Sequence, residues 1–147
     1  RETTHLNERD INERVMQKLN AVGLADAAPK MPAEISGGMA RRVALARAIS
    51  QNPQIMLFDE PFTGLDPIAM DTIASLIREQ TDALNAASIV VSHDVQETFA
   101  ISDYIYVMHQ SGIVAHGTPS ELMDNADPFI RRFIHGRDDT RVHGGRV

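Results

Sequence analysis

The chain predicts an α/β fold built largely on a parallel sheet, and two apolar runs carry that prediction. The first, residues 54–58, lies between Asn52-Pro53 and the acidic Asp59-Glu60-Pro61. A short run with such borders reads as a strand buried on both faces, as in a parallel sheet. The second run, Ala87–Val91, follows a long helical pattern that starts after Asp66. A later pair of short runs around His109-Gln110-Ser111-Gly112 adds a β-hairpin near the C-terminus.

Taken in order, residues 1–5 form an irregular lead-in. Over residues 7–22, Ile11, Val15, Met16, Leu19 and Val22 recur at helical spacing, and Gly23 supplies a stop. Ala28-Pro29-Lys30-Met31-Pro32 is a connector, because proline interrupts helix and pushes its predecessor to extended geometry. Ser36 is placed to cap a helix over residues 39–50, with Val43, Ala46 and Ile49 on its apolar side. Gly37 and Gly38 leave bare N–H groups at the positive end of that helix, which makes an anion site suited to phosphate oxygens. Arg41, Arg42 and Arg47 could steer phosphates, although a solvated helix face accounts better for Arg41 than a phosphate contact does.

Asp59 and Glu60 stand at the carboxyl end of the first strand, where open α/β sheets place their ligand crevice. One carboxylate there can hold Mg²⁺ while its neighbour polarises a water for attack on a phosphoryl group. Pro67 suits a helix start, and Ile68, Ile73, Leu76, Ile77 and Leu84 give that helix an apolar stripe. The second strand ends in Ser92-His93-Asp94, with Asp94 positioned to cap a helix over residues 95–102. A histidine near a strand end is commonly structural; its place after a parallel strand favours a phosphate contact for His93.

The hairpin pairs residues 104–108 with 113–116, and His109 and His116 read as exposed. With no Cys and no second ligand at metal spacing, no zinc site is assigned to them. Thr118-Pro119 and Asp127-Pro128 each open a short helix. Residues 136–147 are polar and lack a core pattern, which predicts a disordered tail.

Composition sets the limits. The chain has 147 residues, 43% hydrophobic and 23% charged, enough for a real core. The net charge of −6 argues against a general basic surface for nucleic acid. Without cysteine there is no disulfide framework and no thiolate chemistry. No apolar run approaches the roughly 20 residues that span a bilayer, so any membrane connection is expected through a partner. Neither lysine, Lys18 or Lys30, follows a glycine, so no phosphate loop ending in Gly-Lys-Ser/Thr is present in these residues.

Four segments in order, Ser36-Gly37-Gly38, Asp59-Glu60, Asp66 and His93, resemble the signature motif, Walker B, D-loop and switch histidine of an ATP-binding cassette (ABC) ATPase. The resemblance runs over roughly residues 5–135. It implies the C-terminal part of a P-loop NTPase domain, with the Walker A half missing. Residues 1–35 would be part of the helical subdomain and its connector. Residues 36–135 would carry the signature helix and the Walker B, D-loop and switch-histidine half of the core.

Met39 departs from the family's usual glutamine. With the Ser-Gly-Gly-Met-Ala-Arg-Arg run it resembles the subunits that serve MCE-type lipid trafficking, nearest the Mla-type phospholipid-transport ATPases. The implied cofactors are ATP and Mg²⁺. Asp59 would orient the metal, Glu60 would activate water, and His93 would touch the γ-phosphate. Ser36, Gly37, Gly38 and Met39 would cap a nucleotide held by a second ATPase subunit, and Asp66 would communicate across that contact.

Membrane-spanning permease subunits complete the implied assembly at the cytoplasmic face of the inner membrane. No nucleic-acid partner is implied. The 147 residues alone are expected to hydrolyse no ATP and to self-associate through an exposed sheet edge. An ABC-type ATPase of translation or chromosome maintenance is the alternative reading.

Overall fold

The computed structural model describes residues 7–136. The predicted lead-in falls outside this range, as does the predicted tail beyond Gly136. The chain divides into two compact units, Arg1–Glu97 and Thr98–Val147.

In the first unit, α1 spans Glu8–Ala21 and starts where the Asn7 side chain accepts the Asp10 N–H. Acidic Glu8 and Asp10 in its first turn and Lys18 in its last suit the helix dipole. The chain then reaches α2, Gly37–Ala48, whose N-cap is Ser36. Strand β1 is Ile55–Asp59, α3 is Pro67–Leu84, and β2 is Ala87–Val91. Asn85, in the left-handed region at φ 48°, closes α3 and turns the chain back toward the sheet.

β1 and β2 pair in parallel with Ile55 opposite Ala87 and Asp59 opposite Val91. The helix between them is the crossover that a parallel pair needs. On one face, Met56 joins Val22, Leu24, Leu45, Ala46 and Ile49 in a core cluster, with Phe58, Leu76 and Leu84 packed around it. Phe62, Ile73, Ala74 and Ile77 are buried as well.

Three expectations need correction. β1 is not buried on both faces, since Ile55 and Leu57 are 64% and 74% exposed. The face bearing Ile89 and Val91 is open too, because the sheet among the described residues has two strands and helices cover only one side. The predicted stripe of α1 is only partly used: Val22 is buried, whereas Val15 and Met16 are exposed. Ile68 also lies outside the core, at 79% exposure in the first turn of α3.

The boundary between the units falls within α4, Val95–Ile101. In the second unit, β3 (Ile105–His109) and β4 (Gly112–Gly117) form an antiparallel hairpin. Gln110 and Ser111 connect them with φ of 46° and 64°, the two left-handed residues that a tight hairpin turn requires. Helices α5, Pro119–Met123, and α6, Pro128–His135, are capped by Thr118 and Asp127 with proline at their starts. Ile105, Val107, Leu122 and Ile130 form the core of this unit. No described helix is long and apolar enough to cross a membrane.

Ile49 is fully buried and touches the cluster that holds α1, α2 and β1 together. Ile49→Ala should cost about 2–5 kcal/mol of unfolding free energy in denaturant titration, whereas Ile68→Ala should change it by less than roughly 0.5 kcal/mol. Equal effects at the two positions would contradict this packing.

Candidate functional site

Parallel pairing brings the ends of β1 and β2 side by side, so residues that follow the two strands become neighbours. The Glu60 N–H donates to the Val91 carbonyl at 2.8 Å, which extends the ladder one step past the strand. Glu60 then adopts φ 47°, an uncommon conformation for a residue with a side chain. His93 Nδ1 lies 2.9 Å from Glu60 Oε2. Thr63 Oγ1 donates to the same oxygen at 3.1 Å. Both contacts use Oε2, and the His93 backbone N–H also hydrogen-bonds the Glu60 carboxylate.

The pair stays accessible, with side-chain exposures of 71% for His93 and 39% for Glu60. The His93 hydrogen bond is the main reason the Glu60 carboxyl is held below its ordinary value, with Thr63 adding to the effect. Glu60 in turn raises His93 above its ordinary value, first by that hydrogen bond and then by its charge, and Asp94 contributes further. Asp59, at the end of β1 and opposite Val91, is exposed.

A second group of predicted residues gathers at a hollow of about 540 Å³. Ser36, Gly37, Gly38 and Met39 line it from the start of α2, and Asp66 and Ala69 from the start of α3. Ser36 Oγ accepts the Met39 N–H at 3.2 Å, and Asp66 Oδ1 accepts the Ala69 N–H at 3.0 Å. Both predicted residues are therefore helix caps, and two positive helix ends open on one space. A side chain at Gly37 would meet nothing within 4 Å, so packing within the chain does not require glycine there. Its absence leaves the backbone open to whatever approaches. Met39 lines the hollow and also packs against the core cluster.

The arginines of α2 have structural duties that sequence reading did not assign. Arg42 donates to the carbonyls of Val22 and Gly23 at 3.4 and 3.5 Å, closing the C-terminal end of α1. Arg42 also lines the hollow at Ser36. Arg41 donates to the Thr63 carbonyl at 3.1 Å, tying α2 to the turn that also supports Glu60. Thr63 was missed as well. Its position three residues after Glu60 in a turn was a signal, because short side chains there reach back to the turn's start.

Residues 1–63 match the ABC transporter family. Over 97% of this chain, the sequence is 52% identical to the intermembrane phospholipid transport system ATP-binding protein MlaF of Haemophilus influenzae, covering 54% of that protein. The same-named protein of Escherichia coli K12 is 49% identical over 97% of this chain and 53% of its own length. A sulfate/thiosulfate import ATP-binding protein of Agrobacterium fabrum is 40% identical over 91% of this chain and 39% of its own. The chain thus spans about half the length of the phospholipid-transport relatives it matches. The solved structure of cbiO1 from Clostridium perfringens, part of the ABC transporter complex cbiONQ, has a TM-score of 0.76 and 29% identity. It is matched over 82% of this chain and 48% of that one. The fold is accordingly that of part of an ABC ATPase.

The two shifts define a pH window. His93, raised, adds stability below its free value of 6.5 and loses it as pH climbs through its folded value. Glu60, lowered, adds stability above its free value of 4.5 and loses it as pH falls through its folded value. The pair is complete between those free values. In an NMR titration, Glu60→Gln should lower the His93 midpoint. An unchanged midpoint would show that the two groups do not interact.

Proposed function

We propose that the chain, which matches the ABC transporter family over residues 1–63, is the signature and water-activating half of a transport ATPase subunit that serves phospholipid trafficking of the Mla/MCE type. The observation that carries this reading is the 52% identity to a phospholipid-transport ATP-binding protein over 97% of the chain. The open Glu60–His93 pair and the hollow at Ser36 support it, because both face solvent rather than a sealed interior.

Asp59 is an exposed carboxylate at the strand end, the hard oxygen donor that Mg²⁺ takes, so the residue fits the metal. Held there, Mg²⁺ would supply positive charge to offset that of the nucleotide phosphates. Glu60 takes the proton of the attacking water, with Thr63 and His93 holding its carboxylate in place. His93 donates to the γ-phosphate when it turns from Glu60, which couples the presence of nucleotide to release of the base. Ser36, Gly37, Gly38 and Met39 face a triphosphate held by a second subunit, with the Gly37 and Gly38 N–H groups at the bare start of the helix. Asp66, capping α3 on the same hollow, links that contact to the rest of the helix.

A phosphate loop is needed to cradle the nucleotide, and these 147 residues contain no Gly-Lys-Ser/Thr sequence. The proposed cycle therefore belongs to the intact protein as a dimer, docked on membrane-spanning permease partners at the cytoplasmic face of the inner membrane. Turnover by these residues alone is not expected.

Glu60→Gln in the intact protein should lower ATP turnover by roughly 10²–10⁴-fold, the usual contribution of a general base. A variant that keeps wild-type turnover while binding ATP would refute the assignment.

A further inference from the structure

Three metal-ligating side chains meet where the parallel strands end. Glu60, His93 and Asp94 each offer one donor atom, and these atoms all lie within 4.8 Å of one another. His93 Nδ1 and Glu60 Oε2 already stand 2.9 Å apart. Bond lengths of about 2.0–2.2 Å around a tetrahedral Zn²⁺ place its ligand atoms roughly 3.4 Å from one another. The observed spread of up to 4.8 Å is close enough to that spacing for side-chain rotation to offer the three atoms to a common ion.

That backbone is anchored on both sides. The Glu60 N–H is held by the Val91 carbonyl. The Asp94 N–H donates to Ser92 Oγ at 3.1 Å, and Ser92 Oγ donates to Asp94 Oδ2 at 3.2 Å. The exposure of His93 gives an ion a path from solvent. The donor set selects the ion. One imidazole nitrogen with two carboxylates suits Zn²⁺, which takes nitrogen and oxygen ligands and leaves a fourth position to water. Mg²⁺ prefers oxygen alone. Sequence spacing could not reveal this cluster, because strand pairing rather than a local motif assembles it.

We propose that Glu60, His93 and Asp94 form a Zn²⁺ site separate from the Mg²⁺ position at Asp59, and that Zn²⁺ bound there inhibits ATP hydrolysis by occupying Glu60 and His93. The inhibitory part rests on the roles proposed above; the binding part does not.

The test titrates the intact ATP-binding protein with zinc chloride alone, by calorimetry and by competition with a chromogenic zinc chelator. Affinity should fall at least about tenfold in His93→Ala and in the near-isosteric Asp94→Asn. His116→Ala, on the hairpin, should leave it unchanged. The Zn²⁺ concentration that halves ATP turnover, scaled to each protein's zinc-free rate, should rise in Asp94→Asn by the same factor. Binding that survives both substitutions, or that His116→Ala weakens equally, overturns the site. Site-specific binding with no loss of turnover overturns the inhibition. Site-specific binding in a protein whose Glu60→Gln variant keeps full turnover supports the site and instead refutes the hydrolytic reading.

Discussion

The parallel pairing of β1 with β2 is the constraint on which the site depends. Its register sets Asp59 against Val91, and the next hydrogen bond, from Glu60 to Val91, carries the alignment into the loops. A slip of one residue would turn Glu60 to the opposite side and separate it from His93. The left-handed turn at Glu60 is tolerated because that ladder bond and the Thr63 contact hold it in place. Strain at this residue and the aim of its carboxylate have one cause.

The second constraint lies in α2. One end of this helix opens on the hollow through Ser36 and the glycines. Its body is fixed by buried Leu45 and Ala46 and by two arginines that grip backbone carbonyls. Arg41 reaches the Thr63 carbonyl, and Thr63 reaches Glu60. A continuous set of contacts thus joins the anion-facing helix end to the acid–histidine pair. Through these contacts the position of α2 bears on the Glu60 side chain.

Much of this was legible in the sequence because the signals were local. Ser36 and Thr118 announced helix starts through capping chemistry, and Pro67 and Pro128 did so through proline, whereas the cap formed by Asp66 was not read. The hairpin was visible in a polar turn between two short apolar runs. What stayed hidden was tertiary. Apolar residues at positions 55, 57 and 68 are exposed because no described element covers them, and a pattern of residue types does not say which faces find partners. The grip of Arg42 on α1 and the meeting of Asp94 with Glu60 depend on elements brought together by folding. The chemistry of Glu60 and His93 could be read singly, but not their 2.9 Å contact.

Amide hydrogen exchange on the intact protein tests the central claim most directly. If the parallel ladder extends past β1, the Glu60 amide, bonded to Val91, should be protected together with the Ala87 amide, bonded to Gln54 at the other end. A Glu60 amide that exchanges as fast as an open loop, beside a protected Ala87, would show that the pairing stops short of the site and that nothing holds the acid against the histidine.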